Sequence, residues 1–305
     1  MRIAYMGTPE FAVLPLERIY SDGHDVAAVF TQPDKPRNRG MRVSYSPVKE
    51  VALAHGTPTY QPSSLRRESI VETLRSLNIE LIIVVAYGKL LPKQILSVPP
   101  FGCINLHASL LPKYRGAAPI HWAILNGETE TGVTTMQMTQ ELDAGDILHM
   151  KTTRIGDEET TAQLHDRLSV LGAVLLSETI CALSANKIVG IAQNHEEATY
   201  APPITKSMSP IDWSDTAVNI KRKVRGLNSW PIAETQLRGV AHKVFSVDIS
   251  ESKPLDKKSG DIILSSKNGI EIVCADGSVI IKELQAPGSK RMTAAEYLRG
   301  IKHWD

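Results

Sequence analysis

The sequence predicts an α/β protein: a Rossmann-like, doubly wound, mostly parallel sheet followed by a small antiparallel β-barrel. Two observations lead there. In the larger N-terminal part, short and continuously apolar runs alternate with segments of helical periodicity. Runs without polar alternation belong to strands covered on both faces, as in a parallel sheet flanked by helices. Further on, from Ala241 to Leu284, short runs rich in Val and Ile are separated by Gly, Lys, Ser and the pair Asp276-Gly277. That is the punctuation of antiparallel hairpins in a small OB-like barrel.

Arg2–Met6 reads as the first strand. It runs into Gly7-Thr8-Pro9-Glu10, where Thr8 suits a helix N-cap, Pro9 the first turn and Glu10 the positive end of the dipole. Val26–Thr31 and Glu80–Ala86 are further buried strands, with helices predicted over 47–54 and 65–77. Gly102–His107 is a short strand, followed by a loop and a helix near 117–126. Strands at Thr131–Met138 and Ile147–Arg154 flank the loop Gln140–Asp146, and a helix follows from Thr160 to Leu183. Asn194–Lys206 is polar and holds a Pro-Pro pair, which marks it as a linker. A helix over 214–226 then opens the second part. The expected organisation is residues 1–193, a linker over 194–206, and a C-terminal barrel domain over 207–305. No internal repeat is present.

Hydrophobic residues at 42% and charged residues at 22% lie near globular averages and exclude a disordered or collagen-like chain. A net charge of +1 excludes a globally basic nucleic-acid binder, but the charge is uneven. From Lys206 onward there are 16 Lys or Arg against 12 Asp or Glu, leaving 18 against 21 before it. A basic C-terminal third is compatible with a polyanionic partner. Cys103, Cys181 and Cys274 are widely spaced without a CxxC pair, so neither a disulfide scaffold nor a zinc ribbon is expected. The opening MRIAYMGTPEF lacks a signal-peptide core. The longest apolar stretch, around Leu81–Tyr87, falls well short of the ~20 residues that cross a bilayer. A cytoplasmic protein with no membrane partner is therefore expected.

Residues Pro33–Pro47 interrupt the second strand-to-helix connection, where ~2–6 residues are usual and longer irregular loops are commonly functional or disordered. Lys35, Arg37, Arg39 and Arg42 stand there against a single Asp34, together with Tyr45. Beside the carboxyl edge of a parallel sheet, such a loop would clamp a phosphate backbone or a phosphorylated substrate. A solvated surface insertion accounts for the same residues equally well.

Gly7 stands alone after the first strand, so neither GxGxxG nor a Walker lysine loop is present. No HExxH or close Cys/His cluster supports a metal site, and nothing in the spacing of His107 and His121 requires one. The informative segment is Cys103–Gly116. In a strand, Asn105 and His107 project from one face, at the carboxyl end where open α/β sheets place their ligands. A carboxamide beside an imidazole joins an oxyanion donor to a proton shuttle. Leu110, Leu111 and Pro112 then suit a flat organic group. In Glu141–Asp146, an acid would orient the imidazole. The same residues also serve as strand-end caps and turn formers. Ser109 beside His107 raises a hydrolase nucleophile, though without a GxSxG elbow.

These segments resemble the methionyl-tRNA formyltransferase family over nearly the whole chain. The resemblance rests on Gly7-Thr8-Pro9-Glu10-Phe11, Phe30–Asp34, Val84–Gly88, Asn105-Leu106-His107 with Ser109–Pro112, Tyr114–Ile120, and Leu142–Asp146. The Asn-x-His, SLLP and Asp set is shared by folate-dependent formyltransferases generally. The basic loop, YRGAAPI and the C-terminal domain point to the tRNA-specific branch. Ala108 stands where the family commonly has glycine, a conservative departure.

The resemblance implies formyl transfer from 10-formyltetrahydrofolate to the α-amine of methionyl initiator tRNA, with a catalytic triad of Asn105, His107 and Asp143. It implies that residues 1–193 hold the folate in a cleft of Tyr87, Gly88, Leu90, Ser109, Leu110, Leu111 and Pro112, although some of these leucines would serve equally as core. The tRNA is expected to meet Lys35, Arg37, Arg39 and Arg42. In residues 207–305 it would meet Lys221, Arg222 and Arg225 on one helix, with Lys290 and Arg291 as further candidates. No metal is implied, and a monomer is expected. Rival readings are a formyltransferase acting on a small amine such as a nucleotide sugar or glycinamide ribonucleotide, a formyltetrahydrofolate hydrolase, and a non-catalytic RNA-binding protein on the same scaffold.

Overall fold

A computed structural model describes residues 1–37, 42–251, 256–266 and 268–300. The chain divides into two compact units. One comprises Met1–Pro119, Glu130–Arg154 and His165–Pro202; the other comprises Ile120–Thr129, Ile155–Leu164 and the chain from Pro203 onward.

The elements run β1 (Arg2–Gly7), α1 (Val13–Ser21), β2 (Asp25–Phe30), β3 (Lys35–Arg37), β4 (Arg42–Ser44), α2 (Pro47–Ala54), β5 (Thr59–Tyr60), α3 (Glu68–Ser76), β6 (Leu81–Val85), α4 (Lys93–Leu96) and β7 (Cys103–His107). They continue with β8 (Arg115–Gly116), α5 (Pro119–Leu125), β9 (Glu130–Gln137), β10 (Ile147–Arg154), α6 (Thr161–Ser184) and β11 (Tyr200–Ala201).

The first unit is built on a seven-stranded sheet of order β10-β9-β7-β6-β1-β2-β5. The pairs β1–β2, β1–β6, β2–β5 and β6–β7 are parallel, while β9 and β10 join antiparallel. The mostly parallel sheet agrees with the sequence reading. Ala4, Met6, Ile82 and Val84 enter one core with Phe30 and Leu74. Their strand neighbours Ile3, Tyr5, Ile83 and Val85 are also buried, and strand alternation puts them on the opposite face. Burial on both faces is why these runs carry no polar alternation. Each such aliphatic side chain contributes on the order of 1.5–3 kcal/mol. β1 lies between β2 and β6, so the chain winds outward from it in both directions. That leaves a crevice at the strands' carboxyl ends.

Several local expectations change. Thr8 does not cap a helix. Its Oγ1 accepts the Gln32 N–H at 3.0 Å, and a 3-10 turn at Glu10–Ala12 precedes α1. The bond to β2's exit outweighs local capping. The loop expected to be irregular over 33–47 contains the antiparallel pair β3–β4, with Arg37 opposite Arg42. Helix α3 starts at Glu68, later than the periodicity indicates, because Leu65 is buried in the turn before it. Helix α6 is long and apolar enough, by length and composition, to cross a membrane, with a mean hydropathy of 1.5. The sequence reading passed over it because its apolar residues are interrupted by polar ones. Its Leu168, Leu175, Leu176 and Ile180 are buried in the fold.

The second unit contains α7 (Ala217–Gly226), β12 (Ala233–Leu237), β13 (Val240–Ser250), β14 (Ile262–Ser266), β15 (Gly269–Cys274), β16 (Gly277–Gln285), β17 (Met292–Thr293) and α8 (Ala294–Arg299). The strands form a curled antiparallel sheet of order β12-β13-β16-β15-β14, with β17 on β16. Helix α7 starts where Thr216 accepts the Asn219 N–H and Asp276 accepts the Ala217 N–H, caps worth ~1 kcal/mol each. Its Ile220 and Val224 join Val244, Ile272 and Ile281 in this unit's own core.

Candidate active site

Ile104 and Leu106 of β7 are fully buried, and period-two alternation therefore turns Asn105 and His107 to the other face. His107 ends the strand, beside the exit of β6 through the pairing of Leu106 with Val85. Its Nε2 donates to the Tyr114 carbonyl oxygen at 2.8 Å, and its Nδ1 lies 3.7 Å from Asp143 Oδ2. Nε2 is thus engaged by a backbone oxygen, while Nδ1 faces a carboxylate oxygen just beyond hydrogen-bond distance. Both side chains are largely withdrawn from solvent, at 7% and 12% exposure, so little water screens the pair.

Asp143 is held from two directions. Its Oδ2 accepts the Gly116 N–H at 2.8 Å. Its backbone sits in the left-handed region, at φ 49°, which is unfavourable for a residue with a Cβ. Gly145 follows because a Cβ there would stand 1.7 Å from the Gln137 carbonyl oxygen. Gly116, at φ 115°, is needed because its Cβ would meet the Ala201 carbonyl oxygen at 2.8 Å. That close approach arises from the parallel pairing of β8 with β11, so residues 199–201 run against the loop carrying the site. Thr199 Oγ1 also accepts the Tyr114 N–H at 2.9 Å.

Three buried polar residues here were not singled out by sequence reasoning. Gln193 donates from Nε2 to the carbonyl oxygens of Asp143 at 2.9 Å and Gly145 at 2.7 Å. Arg115 donates from Nε and Nη2 to Gln193 Oε1 at 3.1 and 2.7 Å. Thr134 donates to the Ser109 carbonyl at 2.6 Å and accepts the Leu111 N–H at 3.3 Å. Arg115 lies within YRGAAPI, so a signal for it existed. Gln193 and Thr134 reach the site only through tertiary contacts.

The segment expected to bind folate divides. Tyr87 places its side chain in the core beside Leu74, Ile95 and Cys103, so what it offers a cleft is backbone. Burial pushes its phenol up to about 12, and its hydroxyl has no hydrogen-bond partner. Its carbonyl accepts Gln32 Nε2 at 2.8 Å. Leu90 is 65% exposed, and Gly88 beside it is exposed too, which sets Leu90 apart from core packing. Leu111 is buried, Leu110 packs over Gly132, and Pro112 follows Leu111 through a cis peptide. Ser109 is fully buried and donates its hydroxyl to the Lys113 carbonyl at 2.6 Å. Nε2 of His107 engages Tyr114 instead, which removes the support for Ser109 as a nucleophile.

Of the basic residues, Lys35 and Arg37 lie on β3 and Arg42 on β4, whereas Arg39 lies outside the described residues. The root of this hairpin is clasped. Lys49 bonds Asp34 and, at 2.8 Å, Gln61 Oε1, while Gln61 Nε2 donates to Asp34 at 2.9 Å and to the Gln32 carbonyl at 2.8 Å. On α7 the expected phosphate-facing row is largely occupied. Lys221 pairs with Glu158. Arg225 donates to the carbonyls of Gly156 at 3.0 Å and Glu159 at 3.1 Å. Arg222 reaches Asn219 at 3.3 Å. Arg225 is therefore a clamp within its own unit and not a free cation, because its helix face turns toward the 155–164 segment. Arg291, the further candidate, pairs with Glu283. Among the described residues, no group of three or more His, Cys, Asp or Glu side chains gathers as a metal site.

Residues 1–180 match the formyl transferase family, and residues 203–302 match the formyl transferase C-terminal domain. A mostly parallel sheet with Asn105, His107 and Asp143 at its carboxyl edge, carried on such a chain, defines a formyl transferase of two-part build. A methionyl-tRNA formyltransferase of Trichlorobacter lovleyi is 50% identical over 299 residues, covering 98% of this chain and 94% of that one. One from Alkaliphilus oremlandii is 49% identical over 300 residues, covering 98% and 96%. The chain belongs to the methionyl-tRNA formyltransferase family. Among solved structures, HypX from Aquifex aeolicus in complex with tetrahydrofolic acid aligns with a TM-score of 0.67 at 18% identity, over 98% of this chain and 47% of that one. The sugar 3N-formyl transferase WlaRD, solved in the presence of dTDP and 5-N-formyl-THF, aligns with a TM-score of 0.68 at 18% identity, over 95% and 99%. At this identity the likeness concerns the fold.

Proposed function

We infer that the protein transfers the formyl group of 10-formyltetrahydrofolate to the α-amine of methionyl initiator tRNA, giving formylmethionyl-tRNA for translation initiation. The observation that carries the chemistry is the position of Asn105 and His107 on one strand face at the sheet's carboxyl edge, with Asp143 facing the ring. The acceptor rests on the full-length relatives and their common name.

A free α-amine has a pKa of ~8, so a useful share is already neutral at pH 7. Its lone pair attacks the formyl carbon, a C–N bond forms, and the carbonyl π pair moves to oxygen. Asn105 donates to that developing oxyanion from a fixed position, with protonated His107 beside it. His107 gives its Nε2 proton to N10 of the folate and takes the ammonium proton in its place. The C–N10 bond then breaks, releasing tetrahydrofolate and the formylated amine. Asp143 holds the ring aligned and balances its charge. Nε2, the nitrogen turned away from Asp143, exchanges the Tyr114 carbonyl for substrate.

The folate is placed against the exits of β6 and β7, with the backbone of Tyr87 and Gly88, the exposed Leu90, and the Ser109–Pro112 loop as its surroundings. For the tRNA, the basic segment holding Lys35, Arg37, Arg39 and Arg42 approaches the acceptor end, and the second unit grips the acceptor arm with Arg222. The protein acts as a monomer in the cytoplasm, where aminoacylated tRNA is found.

Formyl transfer is assayed with 10-formyltetrahydrofolate and methionyl initiator tRNA, beside uncharged tRNA, free methionine and a nucleotide amino sugar. Product with the charged tRNA alone is expected. Product with the small amine alone would replace this reading with the sugar-type reaction, and formate release without any acceptor would make the protein a hydrolase.

A further inference from the structure

We propose that Gln193, held by the buried guanidinium of Arg115, is a positioning residue for Asp143 and sets the alignment of His107. The proposal rests on the reading that Asp143 orients His107.

All of the amide's hydrogen-bonding capacity that faces this network is committed. Its Nε2 donates to the carbonyls of Asp143 and Gly145, and its Oε1 accepts two N–H groups from Arg115. The network also fixes which way the amide points, since a flipped group would set N–H against guanidinium and oxygen against two carbonyls. Arg115 is itself buried at 3% exposure, its Nη1 donating to His195 Nδ1 at 3.4 Å. Its main chain is pinned as well, the Arg115 N–H donating to the Thr199 carbonyl at 2.9 Å.

The next residue, Gly116, gives its N–H to the Asp143 carboxylate. One dipeptide therefore governs Asp143 twice: through Gly116 it holds the carboxylate, and through Arg115 and Gln193 it holds the backbone of the same residue. The second hold fixes Asp143 in its left-handed conformation, at φ 49°, which is less favourable than the right-handed or extended regions even for an aspartate. Without Gln193, two loop carbonyls lose this donor and the buried guanidinium loses the acceptor of its Nε and Nη2 groups. The loop then relaxes and carries the carboxylate away from the ring. Misplacement of an aligned group by about 1 Å can cost ~10²-fold in rate.

The test is a double-substitution cycle on the full chain, read by single-turnover formyl transfer, with tetrahydrofolate affinity and thermal unfolding measured in parallel. Gln193→Leu is expected to slow transfer ~10–100-fold with folate affinity nearly unchanged. Gln193→Glu keeps a partner for Arg115 but cannot donate to the two carbonyls, so it is expected to be slowed equally. It carries the cycle if the leucine variant does not fold. In an Asp143→Ala background, either change should add no further loss. A wild-type rate in both Gln193 variants, or the same slowing with Asp143 already removed, would overturn the proposal. Asp143→Ala measured alone separates the two ideas: if it transfers at the wild-type rate, the reading of Asp143 falls and the proposal falls with it. If it is slow while the Gln193 variants are fast, only the proposal falls.

Discussion

Asp143 uses a single carboxylate oxygen for two tasks: Oδ2 lies 3.7 Å from His107 Nδ1 and also accepts the Gly116 N–H at 2.8 Å. The backbone amide fixes the oxygen in place, so the ring meets an acceptor whose position does not depend on the ring itself. His107 is held at its far side by the Tyr114 carbonyl, two residues before Gly116. The loop after β7 thus supports both partners, and Asn105 stands two residues earlier on the same strand face.

Asn105→Ala should lower the single-turnover rate ~10²–10³-fold, the usual cost of a lost oxyanion donor. Folate affinity should change little, because the developing oxyanion exists only in the transition state. Rapid-quench kinetics with saturating folate measures it. A near-wild-type rate would remove Asn105 from the chemistry.

Tyr87→Phe should leave folate affinity unchanged and stability equal or higher by about 1 kcal/mol, since a buried hydroxyl without a partner is removed. The pH dependence has a definite sign. Burial raises the phenol from 10.0 to about 12, so the neutral form's stabilising share is complete below the unfolded value and is lost as pH rises through the folded one. Denaturant midpoints of the wild type should accordingly fall relative to the variant as the pH climbs above 10.0.

Asp34→Asn should destabilise the protein at neutral pH and loosen the root of the β3–β4 hairpin. Desolvation works against ionisation of Asp34, but hydrogen bonds from Lys49 and Gln61 and the Lys49 charge outweigh it and hold the carboxyl below its ordinary 3.8. A depressed carboxylate stabilises above the unfolded value and loses that effect as pH falls through the folded one. The gap in melting temperature between wild type and variant should therefore close below pH 3.8. A gap independent of pH would mean that the charge is not what matters.

Arg225→Ala and Arg39→Ala should separate structure from tRNA contact. Losing the bonds of Arg225 to two backbone carbonyls should lower stability by ~1–3 kcal/mol and leave the salt dependence of tRNA affinity as it was. Arg39→Ala should leave the melting temperature alone, weaken tRNA binding and reduce the salt slope by about one. Binding curves at several ionic strengths decide. A reduced slope in Arg225→Ala would restore that residue to the tRNA interface.

The continuous apolar runs Ile3–Met6 and Leu81–Val85 made the parallel sheet legible, because a strand buried on both faces leaves no other pattern. Asn105 and His107 were legible through the period of two, and their place at a strand's end follows from the run that precedes them. Thr8 misled because local capping preference competes with a bond to β2 that is invisible in sequence. Tyr87 stood next to a glycine at a strand exit and looked like a cleft residue, but its side chain turns back into the core. On α7, Lys221 meets Glu158 and Arg225 meets two backbone carbonyls, partners that a row of cations in the sequence does not announce.

The sequence by itself determined the α/β class, the curled antiparallel C-terminal sheet, the family, and the carboxamide–imidazole pair on one strand face. All of these depend on short periods or contiguous motifs. Only the tertiary structure decided how Asp143 is held, because Gln193, Arg115 and Gly116 are brought to it from distant positions by β8–β11 pairing and the packing of the loops. A hydrogen bond needs its two atoms within about 3 Å of each other in space, and residues such as Asp143 and Gln193, far apart along the chain, leave no local pattern that announces such a meeting.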